Sequence, residues 1–229
     1  MKEVRFVAGE KGGVGKSFVT EIMIALNQEC IPVDSDTKNP DIAKYHSDSI
    51  MYDLTQSQDL FNFLQIVSES EKEKFIVSLP ARALESFIEN REILGQLKEY
   101  DISLNMTFVL NTGDSVALFA LARKALESSI NFDHVVLNGR FGERREFDKW
   151  DSSKCKNGGE LKDGYVFSPF TGRETFLKDY SKKPIEKYFI KREPRLSLRE
   201  LLKEINQEPL INRLCINQFF KEIKETFGA

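Results

Sequence analysis

Between Val4 and Asn138, short apolar runs alternate with longer stretches whose apolar residues recur every three or four positions. Residues 4–8 (closed by Gly9), 31–33, 75–77 (followed by Leu79 and Pro80), 106–110 and 132–137 have the length and composition of buried strands. In 17–29, Phe18, Ile22, Ala25 and Leu26 share one helical face, and in 58–67 Leu60, Phe61, Leu64 and Val67 do the same. Residues 83–100 and 115–128 read as two more helices. This alternation predicts an α/β fold, one parallel sheet with helices on both faces. After Asn138 the rhythm breaks. Residues 141–172 read as mostly irregular, with a short strand at 165–167, and two closing helices are expected at 198–205 and 210–227. The domain reading is a single unit over 1–229: a core of 1–140, an irregular and basic segment 141–199, and closing helices within 198–227.

Composition narrows the class. With 229 residues, 41% hydrophobic and 30% charged, the chain can bury a core and remain soluble, which excludes disordered and collagen-like classes. A net charge of −3 gives no protein-wide basic field for nucleic acid. Cys30, Cys155 and Cys215 are dispersed and odd in number, which argues against a disulfide framework or zinc knuckle and for a reducing cytoplasm. The apolar stretch near Met1 is too short for a signal peptide or a membrane span.

The strongest chemical signal is Gly9-Glu10-Lys11-Gly12-Gly13-Val14-Gly15-Lys16-Ser17, between the first strand and the first helix. Glycines let main-chain amides curl around an anion, and the following helix adds unpaired amides and a positive dipole end. Lys16 supplies a point charge for outer phosphates, and the Ser17 hydroxyl can ligate Mg²⁺. The spacing of a dinucleotide-binding turn is absent.

Glu10 stands where a common phosphate loop has its first glycine, and Lys11 follows it. That arrangement resembles the deviant phosphate loop of the ParA/MinD family of P-loop ATPases. The resemblance implies that Lys11 reaches the nucleotide of a second subunit, so that two copies sandwich two ATP molecules with Mg²⁺ in a homodimer. Gly12, Gly13, Val14, Gly15, Lys16, Ser17 and Phe18 then form the nucleotide-binding loop, although relatives usually carry a hydroxyl at the Phe18 position. Asp34-Ser35-Asp36 at the end of the second strand is similar to the family's first switch. It implies that Asp36 orients or deprotonates the attacking water and that Asp34 lies near the metal. Val135-Val136-Leu137-Asn138 resembles the strand whose terminal Asn meets adenine, while a strand-end turn is an equally good reading of Asn138. No guanine signature N-K-x-D is present, so ATP is preferred over GTP.

The third strand departs from the pattern, since Ser78 replaces the aspartate that holds a metal-bound water. A hydroxyl brings no negative charge toward a cation, so weak Mg²⁺ binding and slow hydrolysis are expected. The run from Asp36 through Asp41, together with Phe147-Asp148-Lys149-Trp150, is most similar to small plasmid-borne members linked to partition or conjugal mobilisation. A ParB-like or other stimulating protein is the partner that this resemblance implies.

Residues 173–199 carry nine basic and four acidic side chains with Tyr180, Tyr188 and Phe189 among them. Such a stretch suits DNA phosphates and equally suits a solvated surface. The apolar side of 210–227 favours packing on the sheet or a partner over a membrane, because its polar side mixes Lys221 and Lys224 with Glu222 and Glu225. His46 and His134 have no company that would make a triad or a metal site. Phe147 and Trp150 read as core anchors. The sequence thus supports an ATPase whose output is a binding state, with a nucleotide-gated module lacking useful turnover as the alternative. A small-molecule kinase or ligase on the same fold is a third reading.

Overall fold

The computed structural model describes residues 1–9, 13–80, 82–180 and 197–228. Its spine is β1 (Lys2–Gly9), with β2 (Ile31–Asp34), β3 (Ile50–Met51) and β4 (Lys74–Ser78) on one side. On the other side lie β5 (Ile102–Leu110) and β6 (Asn131–Asn138). Two short strands, β7 (Gly159–Glu160) and β8 (Val166–Phe167), form a separate antiparallel ribbon. The last strand of the main sheet is β9 (Arg173–Leu177). Among the described residues the main sheet has seven strands in the order β3-β2-β4-β1-β5-β6-β9, and every pairing is parallel. An α/β fold with a parallel sheet was the expectation, and this is what the chain builds.

Alternation along β1 decides which helix covers which face. Val4, Phe6 and Ala8 point to a layer made by α2 (Ser57–Glu69), α3 (Ala83–Glu89), α4 (Arg91–Gln96) and α5 (Ser115–Leu126). Val7 points to the opposite layer. That layer is built by α1 (Lys16–Leu26) and by the two closing helices, Leu198–Glu204 and Leu210–Phe227. Ile216, Phe219, Phe220, Ile223 and Phe227 are buried there, so the last helix packs on the sheet as its pattern predicted.

Three expectations need correction. The helix read over 83–100 is broken at Asn90, whose side chain donates to Ser86 O at 2.7 Å and to Ser57 Oγ at 2.8 Å. An asparagine that bonds the backbone in this way competes with the helical ladder. Segment 141–172 contains two short helices, α6 (Asp148–Asp151) and α7 (Lys154–Asn157), as well as the β7–β8 ribbon. The basic stretch 173–199 begins with β9, an edge strand that buries only Thr175 and Leu177 and therefore lacks a continuous apolar run. Its Glu174 pins the preceding segment: Trp150 Nε1 donates to it at 2.7 Å, and Arg144 and Lys156 each approach it at 2.6 Å. Trp150 and Phe147 are core residues, with Trp150 edge-on to Phe119 at 5.3 Å.

Candidate functional site

The order β2-β4-β1-β5 means that the chain leaves β1 in one direction and later returns to its other side. Such a reversal opens a crevice beyond the carboxyl ends of the central strands. Gly9 delivers the chain into that crevice, and α1 leaves it at Lys16. Glu10, Lys11 and Gly12 lie outside the described residues. Gly13 and Gly15 hold φ of +90° and +99°, a region that residues with a Cβ avoid. Gly15 is also pressed on Asn138: a Cβ there would stand 2.3 Å from Asn138 Nδ2.

Asn138 has its own work at this point. Its Nδ2 donates to Val14 O at 2.8 Å, its Oδ1 accepts from Arg140 N at 3.1 Å, and the residue is 5% exposed. The family resemblance sends this amide to an adenine edge. In the structure it ties the loop to the end of β6.

Helix α1 opens with no side-chain cap and no acidic residue in its first turn. Its positive dipole end therefore faces no capping side chain or first-turn acid of its own. Burial lowers the pKa of the Lys16 ammonium, and the nearby Asp36 charge works against that. Partial desolvation strengthens the pull of this cation on a phosphate. Phe18 is half-buried and packs toward the apolar layer under α1.

The loop after β2 is shaped by its own carboxylates. Asp34 is 1% exposed; its Oδ1 accepts from Asp36 N at 3.1 Å, and its Oδ2 accepts from Ile42 N at 2.8 Å and Ala43 N at 3.1 Å. Burial pushes its pKa up, and those amides push it down. Both of its oxygens organise the loop backbone. Asp36 Oδ1 accepts from Lys38 N and Asn39 N at 3.2 and 3.0 Å. Ser35 Oγ donates to Ser78 O at 2.7 Å, which fastens the loop to the end of β4. Ser17 Oγ donates to Asp41 Oδ2 at 3.1 Å, a contact that the sequence reading missed. Asp41 lay in the polar run already singled out, but nothing in its spacing set it apart from its neighbours.

The far end of the same loop is tied to the C-terminal part of the chain. His46 Nε2 lies 2.7 Å from Glu21 Oε1, and Glu21 Oε2 accepts from Leu198 N at 3.1 Å. Arg199 bonds Asp48 Oδ2 at 2.7 Å and Cys30 O at 2.9 Å. Partners so far apart in sequence leave no local signal.

These contacts also revise the basic stretch. Arg199 is 5% exposed, and the Arg173 guanidinium donates to Phe227 O and Thr226 O at the end of the last helix. Both are structural cations. Lys182, Lys183, Lys187, Lys191, Arg192 and Arg195, with Tyr188 and Phe189, lie outside the described residues. Tyr180 is buried edge-on to Phe219 at 5.0 Å. Among the described residues no helix is long and apolar enough to cross a membrane.

No protein-family model matches the chain. It is similar to Protein MobD of Acidithiobacillus ferrooxidans, with 29% identity over 235 residues that take in 98% of this chain and 96% of that protein.

Proposed function

We propose that the chain is a nucleotide-dependent switch of the ParA/MinD type. In this reading it binds Mg·ATP on residues 9–17, pairs with a second copy through Lys11, and hydrolyses ATP slowly to release that state. The observation that carries the reading is the backbone of the loop. Gly13 and Gly15 are both left-handed and lead into an uncapped helix whose first residue is Lys16. That combination presents amides and a cation to one point at the mouth of the sheet, which suits a polyphosphate.

Lys16 holds the outer phosphates. Asp36 orients the attacking water and accepts its proton as the bond from the γ-phosphorus to the bridging oxygen breaks. Among the described residues no group of three or more His, Cys, Asp or Glu is placed to hold a metal by itself. Mg²⁺ would therefore share the nucleotide's phosphate oxygens with the Ser17 hydroxyl, an all-oxygen set that suits this ion. When bound, Mg²⁺ supplies charge neutralisation at the phosphates.

Similarity to a protein named MobD supports assigning the output of the switch to mobilisation. The partners in this reading are DNA, met by cations other than Arg173 and Arg199, and a stimulating protein. Ser78 favours a second reading, a nucleotide-gated binding module without useful turnover.

Calorimetry with ATP tests the first step. Lys16→Ala should weaken binding by at least about tenfold, because a charge-assisted contact is worth about 1.5–3 kcal/mol. No heat from the wild-type protein would refute the proposal. Lys11→Ala should bind ATP yet fail to form dimers with a non-hydrolysable analogue in sedimentation. Phosphate release that disappears in Asp36→Ala separates the ATPase from the passive module.

A further inference from the structure

We propose that Asp41 provides the carboxylate of the magnesium site, in place of the acid that Ser78 does not supply. This rests on the nucleotide-binding reading above and extends it to a residue that neither the loop motif nor the switch resemblance marks. Among the described residues, the other candidates near the loop are already committed. Position 78 carries only a hydroxyl. Asp34 is buried under three backbone amides. Asp36 accepts from two amides of its own turn and acts on Lys16 through its charge. Asp41 is the acid that meets the metal-competent hydroxyl, with Ser17 Oγ 3.1 Å from its Oδ2.

The separation suits the ion. Ligands held at about 2.0–2.1 Å in an octahedron stand about 2.9 Å apart along an edge, close to the spacing of these two oxygens. The backbone on either side of Asp41 is also held: before it the amide of Asn39 is bound to Asp36, and after it the amides of Ile42 and Ala43 are bound to Asp34. The second carboxylate oxygen, Oδ1, faces Lys44 Nζ at 3.3 Å. That pair is exposed on both sides and is weak enough to leave Oδ2 directed at Ser17. Asp41 thus acts by positioning the cation against the phosphates, while Asp36 keeps its place toward water.

The test is the Mg²⁺ dependence of nucleotide affinity, read by calorimetry with ATPγS in MgCl₂ and in EDTA. It is made on the wild type, Asp41→Asn and Ser17→Ala, with thermal melts to establish that each variant is folded. In the wild type Mg²⁺ should raise affinity by at least about tenfold, the scale of one carboxylate acting on a divalent ion near a protein surface. Asp41→Asn should lose most of that gain while keeping its metal-free affinity, and Ser17→Ala should lose the Mg²⁺ gain as well. If Asp41→Asn retains the full Mg²⁺ effect while Ser17→Ala loses it, Asp41 has no part in the metal site and the nucleotide reading stands. If the wild type takes up no ATPγS in either buffer, both the inference and the reading beneath it fail.

Discussion

Glu21 is the side chain whose removal the structure most clearly penalises. It lies on the buried side of α1, 7% exposed, and makes two contacts that join three parts of the chain. One oxygen meets His46 Nε2 at 2.7 Å and the other accepts the Leu198 amide at 3.1 Å. Glu21→Ala removes both contacts and leaves a buried imidazole and a buried N–H without partners. Each buried polar group left unsatisfied costs about 1–3 kcal/mol, so the two together cost about 2–6 kcal/mol. A total loss of about 4 kcal/mol is expected, which for a chain of this size lowers Tm by about 8–16 °C. Glu21→Gln keeps the volume and one acceptor, so it should lose only about 1–2 kcal/mol. Urea denaturation followed by circular dichroism gives both values, provided that the slope with denaturant is unchanged. If Glu21→Ala falls within about 0.5 kcal/mol of the wild type, the range of ordinary surface changes, the junction is not the buried constraint described here.

Other outcomes follow from the same geometry. Trp150→Ala should cost about 3–5 kcal/mol in urea, since a fully buried indole is lost and Glu174 loses one of its three donors. His134, buried between Thr175 and Phe227, has its pKa lowered to about 4, first by desolvation and then by the charge of Arg5. Its unfolded form takes up a proton near pH 6.5 and its folded form does not. Stability should therefore fall as pH drops from about 6.5 to 4, by up to about 1.4 kcal/mol per unit, and His134→Gln should flatten that slope in pH-resolved melts. Gly15→Ala should harm the loop more than Gly13→Ala. Both pay about 1–2 kcal/mol for positive φ, but at Gly15 the new methyl also collides with Asn138, while at Gly13 it meets nothing within 4 Å; ATP titration of the two variants compares them directly.

Local pattern alone was enough for the main architecture. A strand buried on both faces must be apolar throughout and a helix on a sheet must be apolar every third or fourth residue, so β1, α1, β4, β5, α5 and the last helix announce themselves in any short window. The glycine-rich turn was legible as a strand-to-helix connection for the same reason: glycines, lysine and hydroxyl are neighbours in the chain, with a strand before them and a helix after. Edge strand β9 was not legible, because half of its side chains face solvent and its hydrogen bonds come from β6, far back in sequence. Segment 141–172 looked formless because a single carboxylate on β9 gathers it from three directions.

The surroundings of each acid near the loop were decided by the tertiary structure. Asp34, Asp36 and Asp41 are equivalent as letters, and only folding buries the first under amides, sets the second by Lys16 and brings the third to Ser17. Arg173 and Arg199 counted as surface charge until packing gave each a buried or carbonyl partner. A residue type states which bonds a side chain can make. Which of those bonds remain for a ligand depends on neighbours brought together from distant parts of the chain, and that is decided only when the chain folds.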